Sequence, residues 1–208
     1  MISNNDNKNL TKRQKKALET KKRLYDAALE LFKEKGYKNV SVDEIVAKAN
    51  TSKGSFYTHF ESKDQIIIEH FKNNDNHYAE YYKNLKSYKT SSEKLLNFAK
   101  NMFSFVNEKV DFDFTNVIYS SQLLHNQEKT YIIKEDRSLY KILYEIIREG
   151  QKLGEFREDY TAEELVKMAA RSMRGTYYDW CLYDGNFDIV DNGVKYFSLF
   201  VEGIEKVK

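Results

Sequence analysis

Proline is absent from all 208 residues of this chain, and glycine occurs only eight times. Sandwiches and barrels of short strands need turn residues throughout, so this scarcity excludes them and calls for long helices on short connections. A single cysteine, Cys181, excludes an intramolecular disulfide framework and suits a reducing compartment. No apolar run approaches the ~18–20 residues that cross a bilayer, and the first residues show no signal-peptide core. A cytoplasmic protein without membrane contact is expected. The four histidines, His59, His70, His77 and His125, lack metal-site spacing such as HExxH, and no base lies near Cys181 in sequence. Neither a phosphate-cradling glycine loop nor a nucleophile elbow occurs. Catalytic residues, a bound metal and a cofactor are therefore not expected.

What is present is unevenly distributed. Residues 1–72 carry 15 Lys and Arg against 10 Asp and Glu, while the remainder carries 19 against 22. A basic part followed by an acidic one suggests that the first meets a polyanion and the second does something else. Positive charge concentrates in Lys8, Lys12, Arg13, Lys15, Lys16, Lys21, Lys22 and Arg23. The polar, asparagine-rich start reads as a flexible basic arm over residues 1–15, with a solvated tail that leads into a helix as the equal alternative.

From about Lys16 the pattern turns helical, with Leu24, Ala27, Ala28, Leu31 and Phe32 on one face and Gly36 as the stop. Ser41-Val42-Asp43-Glu44 is a capping box that opens a second helix. Asn50 tolerates the left-handed turn that ends it, and Ser52 caps a third. Phe56 and Phe60 anchor that third helix inward. A domain over residues 16–62 follows: two short helices joined by a tight turn, with a longer helix behind them. Residues 63–208 read as a second, wholly helical domain. Capping boxes at Ser62, Thr90 and Thr161 open helices over about 62–86, 90–106 and 161–183, and further helices fall within 112–125, 131–152 and 190–205.

Two helices across a short turn form a helix-turn-helix, whose second helix enters the DNA major groove by its N-terminal end. Ser52, Lys53 and Ser55 would lie nearest base edges, and Gly54 permits close approach. Tyr57, His59 and Lys63 would hold phosphates, with the helix start at Ser41 adding amides. Each of these residues, taken singly, is equally compatible with ordinary surface or packing roles. Together, Phe32, Gly36-Tyr37, Ser41-Val42-Asp43-Glu44-Ile45, Ala47, Ala49, Ser52-Lys53-Gly54-Ser55-Phe56-Tyr57, His59-Phe60 and Lys63-Asp64 closely resemble the N-terminal domain of TetR-family transcriptional repressors. The likeness covers residues 20–70. It departs at Asn50, where many members have glycine, and at Thr51, where many have an aliphatic residue; Thr51 either packs through its methyl or adds a polar contact. The resemblance implies an all-α fold with an N-terminal DNA-binding domain and a C-terminal domain for dimerisation and effector binding.

The residues beyond the first domain give that implication partial support. Val190, Val194, Phe197, Val201 and Ile204 recur in steps of four and three, a seam that wants a partner helix. Leu165, Met168, Ala169 and Ser172 line one face of the preceding helix. Two such helices from each subunit would make a homodimeric four-helix bundle, and a two-fold dimer suits a palindromic operator; packing within one subunit is the alternative. Of residues 73–208, 23 are Phe, Tyr or Trp. Phe98, Met102, Phe105, Tyr119, Tyr140, Tyr144 and Tyr177 would line a pocket for a lipophilic or aromatic effector, and Arg171 or Arg174 would meet an acidic group on it or close an internal salt bridge, the favoured role. An ordinary aromatic core is the alternative there. A repressor released by a small molecule is expected; control by a protein partner and a helical small-molecule enzyme are the competing readings.

Overall fold

The computed structural model describes residues 11–124 and 132–206, which hold nine α-helices and no strand. The chain divides into two compact units that meet between Asn73 and Asn74.

In the first unit, α1 (Lys12–Lys35) packs against α2 (Val42–Lys48) and α3 (Lys53–His59), and α4 (Lys63–Tyr82) begins. Its core is Leu24, Ala28, Phe32, Ile45, Phe56, Phe60, Ile66 and Ile67, all almost fully buried. Helix α1 starts at Lys12, four residues earlier than the apolar period suggests. Thr11 Oγ1 accepts from the Gln14 amide, and Gln14 Oε1 accepts from the Thr11 amide, a capping box with glutamine as its third residue. The end of α1 is as expected: Gly36 has a positive φ of 76°, and Lys33 and Lys35 occupy the last turn where the helix dipole favours cations. Lys48 of α2 ties back to Glu30 of α1 at 2.8 Å.

In the second unit, α5 (Ser91–Phe105) lies against α9 (Ile189–Ile204) and α7 (Ser138–Lys152), while α8 (Ala162–Leu182) lies against α6 (Asp111–Leu124), α7 and α9. Thr90 and Thr161 cap α5 and α8 through complete capping boxes. Helix α4 stops at Tyr82 and tightens into a 3₁₀ turn over Lys83–Ser87, and a π-helical turn, Val106–Val110, joins α5 to α6. Helix α7 starts at Ser138; His125 and Tyr131, which the sequence reading placed in or beside helices, lie outside the described residues. Helices α5 and α9 pack tightly at Gly193, where a Cβ would stand 2.7 Å from the Phe103 ring. Real Cβ contacts do not reach that distance, so only glycine lets these helices meet there.

Helix α9 corrects one expectation. Phe197, Val201 and Ile204 are buried within the subunit, and Val190 and Val194 are half-buried. Their four-three stripe finds its partner helices in α5 and α8 of the same chain. On α8, Leu165 and Ala169 are likewise buried, Ser172 is half-buried, and only Met168 of the expected four is exposed. The apolar surface these two helices leave outward keeps Met168 and otherwise differs: Tyr178 and Leu182 on α8, and Tyr196 and Leu199 on α9. Gly175 and Gly203 share these helices, and a Cβ at either would meet nothing within 4 Å. No described helix is long and apolar enough to cross a membrane.

Candidate functional site

Side-chain caps open both α2 and α3. Ser41 Oγ accepts from the Glu44 amide at 3.3 Å while Glu44 Oε2 accepts from the Ser41 amide at 2.8 Å. Glu44 also pairs with Lys35 at 2.7 Å. That lysine, followed by the Ser41 amide and hydroxyl, holds the Glu44 carboxyl down at about 2. Asn50 adopts φ 48°, the left-handed conformation expected of it, and the Thr51 amide donates to the Val46 carbonyl at 2.9 Å. Ser52 Oγ then accepts from the Ser55 amide at 3.2 Å to start α3.

Phe56 and Phe60 fix which face of α3 turns outward. Both are buried, with ring centroids 5.8 Å apart. Ser52, Lys53, Gly54, Tyr57 and Thr58 are consequently exposed, Tyr57 by 57%, and Thr51, Ser55 and His59 are half-buried. A Cβ at Gly54 would meet only Ser52 Oγ, at 3.9 Å. Packing inside the subunit therefore does not require glycine there. Lys53 Nζ rests 2.8 Å from Asp43 Oδ1, an exposed pair in which the carboxylate raises the lysine's pKa. Water screens such a pair, so a stronger anion can take the place of Asp43.

Lys63 departs from its sequence reading as a phosphate contact. Its ammonium donates to the carbonyls of Tyr37 at 3.0 Å and Val40 at 2.8 Å, and stands 4.2 Å from the Tyr37 ring centre. Burial lowers its pKa. The Tyr37 hydroxyl in turn donates to Asp64. Lys63 thus braces the loop after α1 onto the start of α4.

Aromatic side chains fill the middle of the second unit. Phe98 and Met102 are buried, and Phe105 stacks on His77 with ring centres 3.9 Å apart. His77 Nε2 is 3.0 Å from Asn101 Oδ1. Tyr78 is buried edge-on to both Phe98 and Phe105. Tyr177 packs on Phe103 at 5.1 Å and on Tyr119 at 6.3 Å. Burial pushes the phenols of Tyr78, Tyr119 and Tyr177 above their ordinary pKa, and pushes the Cys181 thiol up to about 11. Among the described residues, the Tyr177 hydroxyl and Trp180 Nε1 find no hydrogen-bond partner although both are buried.

Of the two α8 arginines that the sequence offers, Arg171 is exposed, whereas Arg174, three residues further along, donates to the Tyr140 hydroxyl at 2.8 Å. Arg137 is buried and grips Asp75 of α4 through two bonds at 3.0 and 3.2 Å, while donating to the Ile132 carbonyl at 3.0 Å. The sequence reading missed Asp75, Tyr78 and Arg137. The steps of seven and four from Ile67 through Asn74 to Tyr78 along α4 were the available signal for Tyr78; nothing local marks an Asp–Arg pair 62 residues apart. Tyr140 and Tyr144 also border a surface groove of about 170 Å³ between α7 and α8, ringed by Glu135, Lys141, Glu145, Glu163, Val166 and Lys167.

This architecture matches known families along nearly its whole length. Residues 24–70 match the model for bacterial regulatory proteins of the tetR family, and residues 71–203 match that for the C-terminal region of YsiA-like protein. The chain belongs to the TetR family of transcriptional regulators. The fatty acid metabolism regulator protein of Bacillus subtilis is 28% identical to this TetR-family chain over 183 residues, 87% of it and 93% of the relative. Among solved structures, Thermus thermophilus FadR in complex with lauroyl-CoA superposes with a TM-score of 0.75 at 19% identity, covering 90% of this chain and 96% of that one. Bacillus subtilis FadR in complex with stearoyl-CoA gives 0.66 at 26% identity, covering 88% and 98%.

Proposed function

We propose that this TetR-family regulator is a cytoplasmic repressor that holds a palindromic operator as a homodimer and releases it on binding a long acyl thioester. The carrying observation is the outward face of α3, where Ser52, Lys53, Gly54 and Tyr57 are exposed and where no packing inside the subunit calls for the glycine. On this reading Lys53, with Ser52 and Ser55, reads base edges; Tyr57, His59, Thr51 and the start of α2 at Ser41 hold the backbone. Lys63 acts from behind, through the loop it braces.

The effector assignment draws on the second unit and on the relatives. An apolar chain suits Phe98, Met102, Phe105, Tyr119 and Tyr177, and a carbonyl on that chain would accept from the Tyr177 hydroxyl or Trp180 Nε1. Each buried polar group left alone costs about 1–3 kcal/mol, so a ligand that supplies its partner is favoured. The two FadR structures holding lauroyl-CoA and stearoyl-CoA support an acyl-CoA in particular. Dimerisation is assigned to the exposed stripes of α8 and α9, Met168, Tyr178 and Leu182 with Tyr196 and Leu199.

Helix α4 is the coupling element. One end carries His70, 2.9 Å from the Tyr25 hydroxyl of α1; the other carries Asp75, His77 and Tyr78 among the aromatic residues. An effector that displaces the second set shifts a helix whose first turns belong to the DNA-binding unit. Coupling of about 1–3 kcal/mol would change operator affinity roughly 5–150-fold.

Selection of bound duplexes from random oligonucleotides tests the first half, and an inverted repeat is expected. Titrating the selected complex with acyl-CoA of graded chain length tests the second. Release by long but not short chains is expected. Saturable acyl-CoA binding that leaves operator affinity unchanged would sink the effector assignment, and release by a purified protein partner instead would replace it.

A further inference from the structure

The first three turns of α1 bury nothing. Every residue from Thr11 to Glu19 is exposed, including Leu18, and the buried face starts only at Leu24. This stretch carries Lys12, Arg13, Lys15 and Lys16 and no acid before Glu19. Among the described residues none of the four cations meets an acidic partner; the ion pairs of α1 begin with Lys21–Glu69 and Lys22–Asp26.

Each feature works against an isolated helix. The dipole at a helix start repels cations by about 0.3–1 kcal/mol each, and like charges three or four apart, such as Lys12–Lys16 and Arg13–Lys16, add to that. Apolar packing supplies no compensation. A segment whose local charge opposes its own structure is the mark of a functional surface. Its place in the fold says what it meets. Lys21, at its base, stands 5.5 Å from the ring centre of Phe60, the residue that ends α3. The extension thus leaves the body beside the C-terminal end of the recognition helix and rises about 13 Å from there at 1.5 Å per residue. That length exceeds the width of a minor groove, roughly 6 Å.

We infer that Lys12, Arg13, Lys15 and Lys16 form a second DNA-binding surface, a cationic helical extension that lies along phosphates flanking the sequence read by α3. The inference rests on the operator reading above and assigns a contact beyond it. Phosphates neutralise the four like charges, so the extension gains helical stability on binding and contributes affinity without base preference.

The test replaces all four cations by glutamine, which keeps helix propensity, and compares salt dependence on the selected operator. The salt slope is expected to fall by about 3.6 for each bound subunit, at roughly 0.9 for each of its lost phosphate contacts, with affinity down about 10–100-fold and the ranking of operator variants kept. Wild-type protein should lose the same advantage on a duplex trimmed to the core repeat, whereas the glutamine variant should not notice the trimming. Arginine at all four positions should restore the slope, which separates charge from folding. An unchanged slope and affinity would overturn the inference. So would a variant that binds operator normally yet loses wild-type binding to anionic phospholipid vesicles. Wild-type protein that selects no duplex at all would remove the operator reading itself, a result visible before any variant is made.

Discussion

The first unit keeps its aromatic pair, Phe56 and Phe60, inside and turns hydroxyls and lysine outward, whereas the second unit buries phenols, an indole and an arginine in its middle. On the function proposed above, one offers chemistry to a partner too large to enter it, and the other holds polar groups that an entering effector would satisfy. The difference also appears in how polar groups are satisfied. Ser41, Glu44 and Ser52 of the first unit are all engaged in local caps, and water can serve the rest. Tyr177 and Trp180 of the second are shielded and unpartnered. A surface site can be fully satisfied at rest; an interior site that awaits a ligand cannot.

The sharpest way to break this comparison is Phe56→Ala. Loss of a fully buried phenyl should cost about 3–5 kcal/mol, abolish operator binding and leave the second unit folded. Trp180, the chain's single tryptophan, reports the second unit alone, so its fluorescence transition should hardly move. A matching shift there would show the units to be one cooperative block. Arg137→Ala should act the other way. Stranding Asp75 without its guanidinium should cost about 3 kcal/mol, with the loss read in the Trp180 transition, and Arg137→Met with Asp75→Leu should recover much of it. Recovery that fails would mean the pair is needed for more than mutual neutralisation.

Lys63→Met separates bracing from phosphate contact. The two carbonyl bonds it removes should reduce stability by about 1.5 kcal/mol, while the salt slope of operator binding stays at its wild-type value. A slope lowered by about one contact's share would return Lys63 to the DNA. Tyr177→Phe should stabilise the free protein by about 1 kcal/mol, because it deletes a buried hydroxyl that has no partner, and should weaken effector-driven release. Destabilisation would show that the hydroxyl is satisfied after all.

Acidity and alkalinity should separate the units with the smallest effects. The Glu44 carboxyl is held at about 2 in the folded state against an ordinary 4.5. Its contribution is full above 4.5 and fades as pH falls toward 2, so the helix-turn-helix should loosen first in acid. The buried phenols have pKa values raised above 10. Their contribution is full below 10 and fades as pH rises beyond it, so the Trp180 transition should move first in alkali. Unfolding followed separately for each unit across both edges checks the order.

Local signals were legible in the sequence where they act over one or two turns. The caps at Ser41, Thr90 and Thr161, the stop at Gly36 and the left-handed Asn50 all read directly, and together they define an all-α chain. The Thr11–Gln14 box was overlooked because an exposed helix has no apolar period to announce it. Periodicity also identified the stripe of α9 without saying which helix covers it: Phe197 and Val201 would read the same against a second copy as against α5. Arg171 and Arg174 differ by less than a turn, and only the packing of α8 decides which one turns inward. The Asp75–Arg137 pair depends on tertiary placement and leaves no local trace.

Cys181 has a practical use that follows from its surroundings. With its thiol pushed up to about 11, only roughly one molecule in ten thousand carries the reactive thiolate at neutral pH. Slow labelling of the native chain by maleimides and iodoacetamides is therefore expected, a rate that a thiol titration measures directly. A cysteine placed at the exposed Tyr57 position should take up a spin label or fluorophore well ahead of Cys181, so a label-to-label distance in solution would test whether two copies of α3 come together as the proposed dimer requires.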